Sequence, residues 1–163
     1  MARLQVENAQ WAIHGGQREK NITVMFILWR ESDMKTILLV DDNLASLYDM
    51  GEVLSMFGHK VIQKPDPESA LAVIQKGVAV DLVVTDYHVQ GMDGHEFLYA
   101  LKKVLPSVPV IMLTAHGSVE TYLKSLSLGV FEHLHKPVET KELGRIVEAA
   151  LAWSDAGHSL SVS

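Results

Sequence analysis

The chain has 163 residues, of which 48% are apolar and 21% charged, which suits one domain of ordinary size. The complete lack of cysteine excludes disulfides, thiolate metal sites and cysteine nucleophiles, and it favours a cytoplasmic location. The formal net charge of −6, with no run of lysine and arginine, argues against direct binding to nucleic acid.

The first 33 residues show no clear period and are predicted to form an N-terminal extension, either a disordered tail or the product of an upstream start site. Only Ile22 to Trp29 looks structured there, as an extra strand or a partner-binding segment. This run is far shorter than the roughly 20 residues of a membrane-spanning helix, so no membrane association is expected. The domain is predicted over residues 34–153, and residues 154–163 are predicted as a tail.

After residue 34, short apolar runs alternate with helix signals. The predicted strands are Thr36–Val40, His59–Gln63, Leu82–Thr85, Val108–Leu113 and Phe131–His135. The first, third and fourth are almost wholly apolar, as expected of central parallel strands that are buried on both faces. The second and fifth carry polar residues, which favours the edges of the sheet.

Apolar stripes at three- and four-residue spacing predict the helices between these strands. The stripes comprise Leu44, Leu47, Tyr48, Gly51 and Leu54; Phe97, Leu98, Leu101 and Leu105; Val119, Tyr122, Leu123 and Leu126; and Leu143, Ile146, Val147 and Ala150. Asp66 and Pro67 indicate the start of one further helix, as N-cap and first residue. The alternation predicts an α/β fold of (βα)₅ type, with a doubly wound five-stranded parallel sheet of flavodoxin-like strand order 2-1-3-4-5.

Reactive side chains follow four of the predicted strands. The first strand leads into Asp41 and Asp42, the third into Asp86, the fourth into Thr114 and the fifth into Lys136. Ligands of doubly wound sheets bind beyond the carboxyl ends of the strands, so these residues are expected to meet at one rim. Each alone has an ordinary explanation, such as a helix cap, a turn residue or a solvated lysine. Their conjunction at four strand ends favours a functional site.

The chemistry of this set points to phosphoryl transfer. Three carboxylates at one rim repel each other, and a divalent cation removes the conflict. Mg²⁺, or Mn²⁺ in its place, binds carboxylates, a backbone carbonyl and waters, and it neutralises phosphoryl oxygens. With a hydroxyl from Thr114 and an ammonium from Lys136, the set predicts a carboxylate that attacks phosphorus and becomes an aspartyl-phosphate.

Four stretches resemble the receiver domain of two-component response regulators. They are Ile37–Asn43, Leu82–Gly94, Val110–Gly117 and Gly129–Pro137. The resemblance covers roughly residues 35–153 and is of the stand-alone, CheY-like kind. The stretch from Thr114 to Gly117 is most similar to receivers of nitrogen-regulation-type transcriptional activators.

The resemblance implies a phospho-acceptor and its metal ligands. Asp86 matches the phospho-acceptor. Asp41 and Asp42 match the acidic pair that binds the metal together with Asp86, with Asp42 as the more direct ligand. The backbone carbonyl of His88 matches the remaining protein ligand.

The resemblance also implies residues that bind the phosphoryl group and respond to it. Thr114 and Lys136 match the residues that sense and bind the phosphoryl group, and Thr114 and His133 match the switch pair. The bond from Lys136 to Pro137 resembles one that is usually cis. His133 stands where the family usually has tyrosine or phenylalanine, which raises the hypothesis of pH-sensitive switching. The alternative is a half-exposed edge-strand histidine with no such role.

The implied function is a signalling protein that a sensor histidine kinase, or a phosphotransfer protein, phosphorylates on Asp86. The aspartyl-phosphate would then shift an equilibrium between two conformations. Because about ten residues follow the last predicted helix, no DNA-binding output domain is expected. Output is expected through a partner on the face of the fourth helix, fifth strand and fifth helix, with Tyr122, Phe131 and His133 as contacts. The protein is expected as a monomer or as a phosphorylation-dependent dimer through that face.

Two other functions remain open from the sequence. One is a small Mg²⁺-dependent phosphatase or phosphotransferase with an aspartyl-phosphate intermediate. Such enzymes of the haloalkanoate-dehalogenase type need a second Asp two residues after the nucleophile, where this chain has His88. An interaction module that never turns over phosphate would be favoured by loss of an acidic residue, Thr114 or Lys136, and all are present. A second, transition-metal site among the histidines is disfavoured against scattered solvent histidines.

Overall fold

The computed structural model describes residues 34–157. The predictions for residues 1–33, including the strand at Ile22 to Trp29, and for residues 158–163 lie outside this part of the chain. None of the helices between residues 34 and 157 is both long and apolar enough to cross a membrane. The last helix continues to Asp155, two residues past the predicted end of the domain.

Five strands and five helices alternate along the described residues. They are β1 (Thr36–Val40), α1 (Leu44–Met56), β2 (Lys60–Lys64), α2 (Pro67–Gln75), β3 (Leu82–Asp86), α3 (Gly94–Val104), β4 (Val110–Thr114), α4 (Val119–Ser127), β5 (Glu132–His135) and α5 (Thr140–Asp155). A short antiparallel hairpin between β3 and α3 pairs His88–Val89 with Met92–Asp93 and lies outside the main sheet. The predicted strands all form and differ from these bounds only at their ends.

The five strands form one parallel sheet in the order β2-β1-β3-β4-β5. This confirms the predicted doubly wound fold and the strand order 2-1-3-4-5. The two strands with polar residues, β2 and β5, lie at the edges as their composition predicted. The switch point of the sheet falls between β1 and β3, which places the rim at their carboxyl ends in position to hold a ligand.

Successive strand residues alternate between two apolar cores, one on each face of the sheet. Ile37 and Leu39 of β1 belong to the core that α1 and α5 cover. Leu38 and Val40 belong to the core that α2 and α3 cover. Burying a side chain of this size contributes about 1.5–3 kcal/mol, so both faces hold the central strands, and with them the rim, in place.

Side-chain caps fix where most of the helices begin. Asp66 accepts a hydrogen bond from the Ser69 N–H at the start of α2, with Pro67 at the first helical position, as predicted. Asn43 caps α1 in the same way, and Asp93 caps α3. Three residues of the predicted α3 stripe, Phe97, Leu98 and Leu101, are buried in the core, whereas Leu105 follows the helix and is partly buried.

The predicted stripes of α1 and α4 are partly wrong. Leu44 and Tyr48 of α1 are exposed, and the buried face of this helix consists of Leu47, Gly51 and Leu54. In α4 the stripe faces solvent, since its four residues Val119, Tyr122, Leu123 and Leu126 are all exposed. Helical spacing marks a face of a helix but does not say that the face is covered.

Candidate functional site

The predicted site residues lie at the carboxyl ends of neighbouring strands. Asp86 ends β3, Thr114 ends β4, and Asp41 directly follows β1. Backbone hydrogen bonds hold these ends together: the Lys136 N–H donates to the Thr114 carbonyl at 2.9 Å, and the Asp41 N–H donates to the Lys64 carbonyl at 3.2 Å. The Lys136–Pro137 peptide bond is cis, as expected from the sequence.

One ammonium group joins two of the carboxylates. The Lys136 Nζ donates to Asp86 Oδ2 at 2.6 Å and to Asp41 Oδ2 at 2.7 Å. Both acids are largely buried, with Asp41 2% and Asp86 9% exposed. Residues 50 and 95 positions apart in the sequence therefore meet around a single charge. This contact is the central observation about the site.

Further hydrogen bonds from nearby groups orient these carboxylates. Asp41 Oδ1 accepts from the Asn43 N–H at 2.9 Å, and Asp41 Oδ2 accepts from the Ser46 hydroxyl at 2.7 Å. Asp86 Oδ1 accepts from the His88 N–H at 2.9 Å. Charge-assisted hydrogen bonds of this kind fix the orientation of each carboxylate before any substrate arrives.

Ser46 is a site residue that the sequence analysis missed. Its hydroxyl donates to Asp41 and also lies 3.4 Å from the Lys136 Nζ. The available signal was a hydroxyl in the first turn of α1, where the helix start follows the acidic pair. A serine near a helix N-terminus is common for capping reasons alone, so this signal is weak.

The electrostatics of Lys136 reflect two opposed effects. Burial alone would lower the pKa of its ammonium, but the hydrogen bonds and negative charges of Asp41 and Asp86 outweigh burial and raise the pKa above 10.5. Lys136 is therefore charged at neutral pH. The rim then holds three carboxylates, counting Asp42, against one ammonium.

The donor chemistry of the rim suits Mg²⁺, although the side chains do not form a complete cage. Carboxylate oxygens and the backbone carbonyl of His88 are hard ligands of the type this ion prefers, and the surplus of negative charge matches a divalent cation. Asp42 is exposed. Within residues 34–157, no group of three or more His, Cys, Asp or Glu side chains is placed to hold a metal ion. Waters and the carbonyl would thus complete the coordination, as is usual for Mg²⁺.

The predicted switch residues, Thr114 and His133, are both buried. Thr114 is fully buried, and its hydroxyl oxygen accepts from the His116 N–H at 3.2 Å. His133 is only 7% exposed, so the interpretation of a half-exposed edge residue is wrong. Its ring stacks on Tyr122 of α4 at a centroid distance of 5.8 Å. A contact between His133 and a docked partner is also at odds with this burial, whereas Tyr122 is 39% exposed.

The sequence profile described as "Response regulator receiver domain" matches residues 37–148. The transcriptional regulatory protein GlrR of Escherichia coli (strain K12) is 36% identical over 118 residues, which are 72% of this chain and 26% of GlrR. The response regulator protein FleR of Pseudomonas aeruginosa is 33% identical over 107 residues, which are 66% of this chain and 22% of FleR. The chain thus spans about a quarter of the length of these curated relatives.

Among solved structures, a CheY-like response regulator receiver domain protein from Methanospirillum hungatei JF-1 is similar with a TM-score of 0.73. It is 28% identical, and the match covers 77% of this chain and 99% of that one. The receiver domain of NtrX from Brucella abortus is similar with a TM-score of 0.67 and 35% identity, and the match covers 71% of this chain and 98% of that domain. Both solved structures thus match this chain over nearly their whole length.

Proposed function

Because the chain belongs to the response regulator receiver family, whose general function is phosphorylation-based signalling, we propose that Asp86 is its phospho-acceptor. The observation that carries this proposal is the contact of one Lys136 ammonium with both Asp41 and Asp86. A carboxylate held at a strand end beside a fixed cation is placed to receive a phosphoryl group and to have the added charge compensated.

In the proposed reaction, an oxygen of Asp86 attacks the phosphorus of a phosphohistidine on a partner protein. A P–O bond forms, the P–N bond breaks, and the leaving imidazole keeps the electron pair and takes up a proton. Lys136 stays charged throughout and compensates the phosphoryl oxygens, while the Thr114 hydroxyl donates to one of them. The His88 N–H, which now donates to Asp86 Oδ1, orients the attacking carboxylate.

Receiver domains generally bind Mg²⁺ at the phosphorylation site, and we assign its ligands here to Asp41, Asp42, Asp86 and the backbone carbonyl of His88. When bound, Mg²⁺ or Mn²⁺ supplies positive charge that neutralises the transferring phosphoryl group. Asp42 is exposed, whereas Asp41 and Asp86 each form an ion pair with Lys136. Asp42 is therefore the most accessible of the proposed side-chain ligands.

Receiver domains interact with histidine kinases and downstream effectors, and we propose both partners for this chain. A sensor histidine kinase or phosphotransfer protein donates the phosphoryl group. The downstream protein docks on the face formed by α4, β5 and α5, where the apolar residues Val119, Leu123 and Leu126 of α4 are exposed. The proposal also places the protein in the cytoplasm, as a signalling module that does not turn over substrate.

Intact-mass measurement of the full chain with Mg²⁺ and acetyl phosphate tests the assignment. The expected result is an adduct of a single phosphoryl group that is absent in Asp86→Asn and retained in Asp49→Asn, a matched change of an exposed aspartate on α1. Adduct formation on the Asp86→Asn variant would overturn the assignment. Continuous release of phosphate over many turnovers would point to a phosphatase instead, and the absence of any adduct to an interaction module.

A further inference from the structure

A chain of polar contacts leaves the site and ends on α4. Tyr87 directly follows Asp86, and its hydroxyl lies 3.3 Å from Nδ1 of His95 in the first turn of α3. The other ring nitrogen of His95, Nε2, lies 3.3 Å from the Thr121 carbonyl and 3.2 Å from the Ser125 hydroxyl, both on α4. Neither the metal ligands nor the phosphoryl-binding residues use this chain.

The partners of His95 fix the direction of these hydrogen bonds. The Thr121 carbonyl can only accept, so Nε2 of His95 carries the proton and donates. In a neutral imidazole Nδ1 then accepts, and the Tyr87 hydroxyl donates to it. The Ser125 hydroxyl in turn donates to the Thr121 carbonyl at 2.9 Å. One tautomer of His95 thus satisfies every member of the chain.

Because these polar contacts are buried, the loss of any one hydrogen bond among them is costly. His95 is 7% exposed and Ser125 is fully buried. The backbone N–H of His95 donates to the capping carboxylate of Asp93, which fixes the backbone of His95 at the start of α3. In such surroundings, removing one partner of a hydrogen bond leaves the other unsatisfied, at a cost well above the net value of the bond.

The attachment of α4 to the domain depends heavily on this chain. Across α4, all of which the structure describes, Ser125 is the only buried residue. The apolar residues of the helix face solvent, so little apolar burial holds it in one position. The ring of Tyr122 also stacks on that of His133 in β5. A helix fixed mainly by a few polar contacts can occupy a second position once those contacts change.

We propose that His95 is a positioning residue that couples the acceptor to α4. Through Tyr87 it holds α4 in the arrangement of the unphosphorylated protein, and it releases the helix when Asp86 is phosphorylated. The link is direct, because Tyr87 lies between Asp86 and His88, whose N–H donates to the Asp86 carboxylate that phosphorylation alters. The proposal rests on the proposed function, in that Asp86 must be the acceptor.

Amide hydrogen exchange of residues 119–127 in the full chain tests the coupling, with and without Mg²⁺ and beryllofluoride as a phosphoryl mimic. In Tyr87→Phe and His95→Asn, exchange without the mimic should be about 2- to 30-fold faster than in the unaltered chain, the range typical of residues that carry coupling. The further acceleration on adding the mimic should shrink. His95→Gln should exchange more slowly than His95→Asn, because its amide nitrogen can donate to the Thr121 carbonyl in place of Nε2, although the Tyr87 hydroxyl still loses its acceptor.

The controls separate coupling from packing. Tyr99→Phe removes a hydroxyl from an exposed tyrosine of α3, the helix that carries His95, and should change nothing. If Tyr87→Phe behaves like Tyr99→Phe, or if His95→Gln and His95→Asn are alike, His95 only fills space and the proposal is overturned. If the unaltered chain does not respond to beryllofluoride, the proposed function fails, while the exchange rates without the mimic still report on the contact of His95 with α4.

Discussion

Lys102 of α3 is a buried lysine. The residue is 8% exposed, and its Nζ donates to the Val108 carbonyl at 3.0 Å. Burial lowers the pKa of Lys102 to about 8, since the charged form is poorly solvated there. In the unfolded chain the pKa returns to about 10.5. Protonation therefore favours the unfolded state, and stability is lost as the pH falls from 10.5 to 8.

We expect Lys102→Met to stabilise the protein at pH 7 and to remove this pH dependence. The gain should be roughly 1–3 kcal/mol, after the loss of about 1 kcal/mol for the hydrogen bond to Val108. Urea unfolding between pH 7 and 10.5 measures it, and the advantage of the variant should shrink as the pH rises. Lys103→Met, at the exposed neighbour, is the control. A gain that is constant across this range would contradict the explanation.

His133 presents a different form of buried polarity. Neither ring nitrogen has a hydrogen-bond partner among residues 34–157. Burial, followed by the nearby His135 and His95, lowers the pKa of His133 below 6.5, while Glu132 opposes this weakly. The ring is therefore neutral at pH 7. The penalty for charging this buried ring is absent above pH 6.5, and stability is lost as the pH falls from 6.5 through the lowered value.

His133→Phe should raise the free energy of unfolding by about 1 kcal/mol or more at pH 7, because it replaces unsatisfied nitrogens by carbon in a ring of similar size. The advantage should grow between pH 6.5 and 5, where the unaltered chain loses stability. Chemical unfolding at these pH values checks both statements, with His116→Phe at an exposed position for comparison. A destabilised variant would mean that the nitrogens bind something within the folded protein.

At the scale of single elements, sequence patterns predicted where helices and strands lie better than they predicted which face of a helix is buried. The buried residue of α4 is Ser125, whose hydroxyl is satisfied by the Thr121 carbonyl and lies 3.6 Å from the Met112 sulfur. Periodicity assigns a polar residue such as serine to the solvent side, because the spacing of residues does not show that its hydroxyl has partners inside the protein. The positions of the edge strands β2 and β5 were easier to predict, because a half-exposed strand carries polar residues that a central strand lacks.

The start of α3 packs closely against the loop after β3. A Cβ built on Gly94 would lie 2.6 Å from the Tyr87 carbonyl oxygen, and backbone cannot move aside as a side chain can. We expect Gly94→Ala to cost about 1–3 kcal/mol of stability, as overpacking does. The same change should slow phosphorylation of Asp86, because the loop that orients the acceptor must shift. Intact-mass time courses with acetyl phosphate measure this second effect.

Gly144→Ala is the matched control for that experiment. Gly144 lies within α5, and a Cβ there would lie 3.0 Å from the ring of Phe57, a side chain that can yield. Since alanine also favours helix over glycine by about 1 kcal/mol, we expect little net change in stability and no change in phosphorylation rate. Equal losses for the two variants would show that the backbone contact at Gly94 has no special weight.

At the scale of the whole molecule, the site could be predicted because topology brings distant residues together. Parallel strands all end at the same rim, so the sequence positions of Asp41, Asp86, Thr114 and Lys136 sufficed to place them there. The pairings within the rim could not be predicted. Lys136 bridges two carboxylates, and Ser46 contacts the same group. These contacts depend on side-chain directions that are fixed only in the folded protein.

Lys136 links the ends of β5, β1 and β3, so its loss should affect the whole fold. Lys136→Met leaves Asp41 and Asp86 facing each other without a cation, and we expect a loss of about 1–3 kcal/mol at pH 7, less than for a fully buried pair because the side chain is 19% exposed. Since the folded pKa of Lys136 is raised, its contribution holds at every pH below 10.5 and is lost only above that value. The deficit of the variant should instead shrink below about pH 4, where the carboxylates become protonated. Mg²⁺ should also reduce the deficit, because a second cation can take the place of the ammonium.

Thermal unfolding across pH and Mg²⁺ concentration measures these effects against Lys141→Met, a change of an exposed lysine of α5. A deficit that neither acid nor Mg²⁺ reduces would mean that Lys136 stabilises the fold by packing, and that the rim carries no electrostatic conflict for a cation to relieve.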